Sequence, residues 1–471
     1  MGYRQERRKK QIVEQLGLVK REFLQSQGSL FGNLLDTRLL LRLIKEECGQ
    51  ERHRIFSTIV TLWAFLTQIL DIDHSCRKAV ARVVAWRTQK GLPKCSANTA
   101  AYCRARQRLP EALLRRLLQW IAKKLIRETP AEWLWKGRRV KIPDGTMVSM
   151  PDSEANQEEY PQQRRQKKGL GFPIARLVAV FDLATGSVMD VAMGKFRGGK
   201  SEKGLLQEIF ENVFERGDVV IGDRHFAGYC DIAFSMRHGV DFVFRQHQAR
   251  KTDFRRGKRL GPSDHLVEWT RPKQRPRGFD KDLFKSLPKK LLVREFKFEV
   301  ERKGFRTTKM NIFTSFLSPE EMTREELAEL LRMRWDVELN LRSIKTVMQM
   351  DILRCKTPEM VRKEIYAHLI VYNLIRGVMA QSANENQIDP LTISFKGAMQ
   401  TLDANIPQLL LVSARIYMRS RKDILDSIGQ HRVRIRPNRY EPRAVKRRPK
   451  PYPLLMQERH LARKKLEKKR A

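Results

Sequence analysis

The chain has 471 residues, in which 94 Lys and Arg face 53 Asp and Glu for a formal net charge of +41 and a pI near 10.4. So basic a surface seeks polyanions, and nucleic acid is the expected partner. The length allows roughly two to four domains. Together with a hydrophobic fraction of 41%, that argues against a short, passive nucleic-acid-binding protein and for a folded body of enzyme size.

The opening MGYRQERRKK has no apolar h-region, so no secretory signal is expected, and Glu6 spoils a myristoylation pattern. The expected location is the cytoplasm, in association with the nucleoid. The longest apolar window, Ile55 to Leu70, is interrupted by Ser57, Thr58, Thr61, Thr67 and Gln68. It is shorter than the roughly 20 residues that span a bilayer, so it reads as a core helix and no membrane partner is expected. Six cysteines without a C-x-x-C pair, and nine histidines that do not fall beside them at zinc spacing, point to free thiols.

From residue 7 to about 127 apolar positions recur at three and four, as in Ile59, Leu62, Trp63 and Leu66 or Leu113, Leu114, Leu117 and Leu118. Residues 1–136 therefore read as a helical DNA-binding region, within which no helix-turn-helix can be placed. Strand signals begin at Arg138–Ile142. Arg176–Asp182 and Ser187–Met193, joined by Leu183-Ala184-Thr185-Gly186, predict an antiparallel hairpin. A helix over Ser201–Arg216, a buried strand over Asp218–Gly222, a helix over Ala227–Arg237 and a strand over Val240–Arg245 complete a β-β-β-α-β-α-β order across 137–246. Residues 247–317 read as a β-rich insertion with strands over Leu291–Val300 and Arg306–Phe316.

Capping-box patterns at Ser318-Pro319-Glu320-Glu321 and Thr323-Arg324-Glu325-Glu326 restart helix. One long helix is expected from Thr323 to Met348 and an apolar one over Ile365–Met379, within a second core segment, 318–385. A C-terminal helical region and basic tail follow over 386–471. From His431 onward, sixteen Lys or Arg stand against three Glu, with five prolines; this tail is expected to be extended or disordered until it meets a polyanion.

Asp144 and Asp223 each follow a short apolar strand, and ends of adjacent strands converge. Two carboxylates brought together repel unless a cation sits between them, and hard oxygen ligands suit Mg²⁺ or Mn²⁺ rather than zinc. Either aspartate alone reads better as an ordinary turn residue. The helix around Glu338 supplies the weight: at 100° per residue, Leu331, Arg334, Glu338 and Lys345 fall within an arc of about 60°. Leu327 and Leu341 flank them, so this face is expected to be partly buried. That setting suits a metal-binding Glu beside phosphate-holding cations better than an exposed Arg-Glu pair.

These residues resemble the DDE transposases of bacterial insertion sequences, in the insertion-sequence-four group, whose third-acid helix carries Y-x2-R-x3-E-x6-K. Here it reads Leu331-x2-Arg334-x3-Glu338-x6-Lys345, with Leu331 in place of the tyrosine. Also similar are Asp144-Gly145-Thr146 followed by Val148-Ser149-Met150-Pro151-Asp152, then Tyr160-Pro161-Gln162, Gly169-Leu170-Gly171-Phe172-Pro173 and Gly222-Asp223-Arg224-His225-Phe226. The resemblance spans about residues 55 to 380. It implies an α/β fold with a ribonuclease-H-like mixed-sheet catalytic core and a β-rich insertion between the second and third acids. It further implies that Asp144, Asp223 and Glu338 are catalytic and hold two divalent ions, Mg²⁺ or Mn²⁺, and that no nucleotide cofactor is needed. Arg334, Lys345 and Arg224 are the expected DNA-binding cations. Trp269, the insertion's one tryptophan, is the candidate for stacking a flipped base, although an isolated tryptophan on a strand is more often core. The reading is a cut-and-paste transposase acting on double-stranded DNA, at the terminal inverted repeats of its own element and at target DNA, as a homodimer.

One motif competes. Gly194-Lys195-Phe196-Arg197-Gly198-Gly199-Lys200-Ser201 satisfies G-x-x-x-x-G-K-[ST], with Asp223 placed as a Walker B acid might be, and would make the chain a P-loop DNA-dependent ATPase. A phosphate-binding loop follows a buried strand of a parallel sheet, whereas the strand before Gly194 is predicted to be a hairpin arm. A non-catalytic DNA-binding protein derived from a transposase is the third reading.

Overall fold

Nine strands join in one mixed sheet with helices on both faces. The structure is a computed structural model that describes residues 34–35, 37–49, 54–165, 167, 169–247, 250–276, 279–300, 308–409, 414–433 and 456–468. The expected helical signal before residue 34 and most of the basic tail lie outside these residues.

Among the described residues five helices come first: α1 (Thr37–Cys48), α2 (Thr58–Leu70), α3 (Cys76–Gln89), α4 (Ala100–Arg108) and α5 (Glu111–Arg127). Serines start two of them. The Ser57 hydroxyl accepts from the Val60 amide at 3.4 Å, and that of Ser75 from the Lys78 amide at 3.1 Å, each satisfying a donor that the first helical turn leaves over. The apolar window after Ile55 is α2, a core helix as expected. Among the described residues no helix is long and apolar enough to cross a membrane, and all six cysteines are free thiols.

The sheet begins with β1 (Val140–Ser149), followed by the short α6 (Glu154–Glu159). Then come β2 (Ile174–Asp182), β3 (Val188–Lys195), α7 (Glu202–Val213), β4 (Val219–Gly222), α8 (Tyr229–Arg237) and β5 (Asp241–Arg245). The predicted hairpin is present: β2 lies antiparallel to β1 and β3, while β1, β4 and β5 run parallel. Gly186, at φ +69°, turns the hairpin, its amide donating to the Asp182 carbonyl at 2.9 Å. Apolar alternation divides these strands between two layers. Ala175, Leu177, Ala179 and Phe181 face one core, while Val178 and Val180 face the other.

The segment expected to be a β-rich insertion supplies β6 (Lys258–Gly261), β7 (Asp264–Thr270), α9 (Lys281–Ser286), β8 (Lys290–Val300) and β9 (Thr308–Thr314). These strands do not form a sheet of their own. β9 pairs with β5, so the strand order is β3-β2-β1-β4-β5-β9-β8-β7-β6.

Three helical segments stand where one long helix was expected: α10 (Arg324–Met333), α11 (Trp335–Arg342) and a π-helical turn, Ser343–Val347. α10 opens on the predicted capping box, in which the Thr323 hydroxyl accepts from the Glu326 amide at 3.3 Å and the Glu326 carboxylate from the Thr323 amide at 2.9 Å. The other predicted box starts only a turn, where the Ser318 hydroxyl accepts from the amides of Glu320 and Glu321. α12 (Pro358–Glu385) is buried along nearly its whole length. It packs on α2, α5 and β3, so the N-terminal helices share one core with the sheet. α13 (Phe395–Leu409) and α14 (Ala414–Gln430) flank it, and α15 (Arg459–Lys468) is a helix inside the tail expected to be extended.

Candidate active site

β1 and β4 pair in register at Val140–Val219 and Lys141–Val220. Carried three residues further, that register sets Asp144 level with Asp223. The ladder toward β4 ends between those points for a chemical reason. The Val219 amide donates to the Arg139 carbonyl at 2.8 Å, so alternation directs the amides of residues 141 and 143 toward β4. Residue 143 is proline and has no N–H. Beyond it β1 runs on to Ser149, paired with β2 on one side and bridged on the other only at Ser149, to Ile352. Asp144 therefore sits in mid-strand rather than at the strand's carboxyl end as expected, yet at the point where the neighbouring parallel strand stops.

Asp144 takes the same side as Val140 and Ile142, and that side is covered by α10 and α11. Its carboxyl is pushed up to about 6, first by burial and then by the negative charges of Glu338 and Asp223, against the Gly145 amide and the Arg334 guanidinium, which favour the anion. The three predicted carboxylates thus share one electrostatic neighbourhood. Asp223 is exposed, and its side chain accepts from the Arg224 amide at 2.8 Å to cap the turn Arg224–Phe226. Across the strand from Asp144, Gly145 meets the Glu202 carboxyl at the start of α7; a β-carbon on Gly145 would stand 2.6 Å from it. A side chain at residue 145 would have to displace the Glu202 carboxyl.

Glu338 lies on α11 with its side chain 48% exposed, joined to Arg334 at 3.4 Å. The expected partly buried stripe holds for Leu331 and Leu327, which are in the core, and for Arg334, but not for Glu338. The segmentation of the helix is the reason. α10 ends at Met333, with Arg334 as the joint to α11, and the π turn widens the spiral before Lys345. Lys345 is half-buried there. Among the described residues no three His, Cys, Asp or Glu side chains are drawn together tightly enough to enclose an ion. The carboxylates nonetheless fit a divalent cation in chemistry: all three offer hard oxygen, and the mutual repulsion felt at Asp144 is what a cation relieves.

The surroundings tie the first-acid strand to the third-acid helix. The Ser149 amide donates to the Asp351 carbonyl at 3.0 Å and the Leu353 amide to the Ser149 carbonyl at 2.8 Å, while the Asn156 amide group donates to the carbonyls of Pro151 and Cys355, both at 3.1 Å. Two residues were missed from sequence. Buried Asn340, two positions after Glu338, accepts from the buried Arg376 guanidinium of α12, and Arg376 also donates to the Tyr372 hydroxyl at 2.9 Å. A lone arginine within the apolar run Ile365–Met379 was the available signal.

Trp269 is placed elsewhere. It is 4% exposed, with its indole N–H donating to Glu295 at 2.5 Å. Phe313 packs against its ring at 4.6 Å and the Arg250 guanidinium at 3.5 Å. Both contacts hold it as a core residue, the commoner reading of an isolated tryptophan on a strand. The Gly194–Ser201 loop follows the antiparallel edge strand β3, not a central parallel one, and Lys200 is paired with Glu208. That topology is wrong for a phosphate-binding loop.

The sequence profile of the family described as the transposase DDE domain matches residues 135–374. The transposase InsG of insertion sequence element IS4 from Escherichia coli K12 is 26% identical over 453 residues, covering 94% of this chain and 97% of that protein. The transposase for insertion sequence element IS421 of Escherichia coli is 33% identical over 66 residues, 14% of this chain and 18% of that protein. Among solved structures, the piggyBac transposase in a synaptic complex with hairpin DNA aligns with 9% identity and a TM-score of 0.41 over 87% of this chain and 84% of that one.

Proposed function

The chain belongs to the transposase DDE domain family and catalyses DNA cleavage and strand transfer, and we propose that it does so with Asp144, Asp223 and Glu338 on a ribonuclease-H-like core. The observation that carries this reading is the Asp144 carboxyl, pushed up to about 6 in a neighbourhood that contains both Glu338 and Asp223. The core reading rests on the order β3-β2-β1-β4-β5, with β2 antiparallel to its neighbours and β1, β4 and β5 parallel.

Transposases of this family generally use divalent metals. Two Mg²⁺ or Mn²⁺ ions held by the three carboxylates would supply activation of the attacking hydroxyl and stabilisation of the departing oxygen. Arg334 has a double part. Its guanidinium pairs with Glu338, and it would hold a DNA phosphate if that carboxylate were taken up by a metal. Lys345 and Arg224 hold phosphates on either side. Water attacks the phosphorus at the element's end and the 3′-oxygen leaves; the freed 3′-hydroxyl then attacks a target phosphodiester. Each bond broken in strand transfer is replaced by one formed, so no nucleotide is consumed.

In the same reading the substrates are the terminal inverted repeats and target DNA, moved by cut-and-paste, and a homodimer pairs two ends at the nucleoid. Residues 1–136 serve DNA binding, 137–246 and 318–385 form the catalytic core, 247–317 are an insertion that lengthens its sheet, and 386–471 form the C-terminal region. Purified protein with Mg²⁺ and a linear duplex carrying the element's end tests this. Cleavage at the end without ATP is expected, and Lys200→Ala should retain it. Cleavage that requires ATP and is lost in Lys200→Ala would return the Gly194–Ser201 loop to a P-loop role.

A further inference from the structure

Several basic side chains of the N-terminal helices have acidic company. Arg116 reaches Glu46 at 2.8 Å and Glu47 at 2.5 Å, Arg82 and Lys78 both reach Asp71, and Arg42 lies 3.9 Å from Glu46. On α4 none of the three arginines has such a partner among the described residues. Its inner side is fixed by buried Tyr102, Ala105 and Leu109, by the Tyr102 hydroxyl donating to Gln68 at 2.7 Å, and by Arg106 set 5.1 Å from the rings of both Phe65 and Tyr102. Its outer side carries Arg104 and Arg108, one helical turn apart and both exposed, with exposed Arg54 beside them just ahead of α2.

No ion pair joins any of these three arginines to an acidic side chain among the described residues. Burial of Arg108 and the nearby charges of Arg54 and Arg104 all work against its own charge. Like charges at i and i+4 destabilise an isolated helix, and here a third cation is added. Such a cluster is relieved by an anion that spans all three, and the established substrate is a polyanion with phosphates along each strand.

We infer that Arg54, Arg104 and Arg108 form a phosphate-gripping surface for double-stranded DNA on the outer side of α4. This rests on DNA being the substrate, and it names the part of the helical block that holds it. α4 is nine residues long, about 14 Å, which matches a stretch of backbone bordering one groove. Alanines at positions 100 and 101 leave the two arginines as the tallest side chains on that side. Because the contacts are to phosphate, they position the protein without reading sequence.

The test is equilibrium binding of the full chain to a duplex carrying the element's end and to an unrelated duplex of equal length, measured across salt concentration. Replacing Arg104 and Arg108 together (Arg104→Gln with Arg108→Gln) should weaken binding to both duplexes alike, by roughly tenfold or more at 0.1 M salt, and lower the salt slope by about 2. Arg54→Gln alone should lower it by about 1; it lies outside α4 and carries the test if the double variant fails to fold. Arg116→Gln, whose partner is already acidic, should change neither. Unchanged affinity and slope in a folded Arg104/Arg108 variant, with wild type binding and cutting DNA, overturn this inference alone. A wild type that neither binds nor cuts DNA overturns the functional reading beneath it.

Discussion

Burial and the charges of Glu338 and Asp223 push the Asp144 carboxyl up to about 6, so the folded chain holds this proton more tightly than the unfolded chain does. For an acid raised in this way the folded state is favoured at low pH, and stability falls as pH rises from about 4 through 6. At neutral pH, without metal, the charged Asp144 therefore destabilises the fold, by something on the order of 2 kcal/mol. Asp144→Asn should raise the melting temperature at pH 7.5 in a chelator by a few degrees and flatten the pH dependence between 4 and 6. Mg²⁺ should raise the melting temperature of the wild type and leave the variant nearly unmoved. A variant less stable than wild type in chelator would show that Asp144 is held by interactions the repulsion does not outweigh.

The third-acid helix shows what local pattern conveys and what it does not. The capping box at Thr323 was legible, because it depends only on residues within one turn, whereas the exposed i, i+4 pair of Arg334 with Glu338 was the less favoured reading of that face. The break at Arg334 and the π turn at Ser343 were not legible, since a regular 100° step was assumed throughout, and exposed Glu338 is where that assumption failed. What fixes α11 lies 36 residues away, in the bond between Asn340 and Arg376. Arg376 also presses on Gly186, where a β-carbon would stand 3.0 Å from its guanidinium carbon. It thereby holds the turn of the β2–β3 hairpin and the helix of Glu338 against one point of α12.

Arg376 acts through Asn340 and is a positioning residue. Arg376→Lys, which keeps the charge but loses the fork, should lower the cleavage rate about tenfold while leaving the dissociation constant for DNA within about twofold. Loss of the bond to Asn340 should also raise the Mg²⁺ concentration needed for half-maximal rate, an effect that general loss of packing does not produce. An unchanged rate and metal requirement would remove Arg376 from this role.

Across the whole molecule, charge named the partner class and alternation named the strands of 137–245, because both are properties of composition and short windows. The continuity of the nine-stranded sheet was hidden, since pairing of β5 with β9 joins residues 243 and 314, and no window of alternation reaches that far. The setting of Trp269 was hidden for a related reason: its position on a strand was legible, but Phe313 and Arg250 come from other segments to close over it. The candidate site was clearer than the fold around it, because acids and cations at fixed spacing carry their chemistry locally. The most direct measurement is Mg²⁺-dependent cleavage of a duplex carrying the element's end by Asp144→Asn, Asp223→Asn and Glu338→Gln, each beside its own DNA-binding curve. Loss of cleavage in all three with binding retained is the expected result, and undiminished cleavage in any one of them would contradict its place among the catalytic carboxylates.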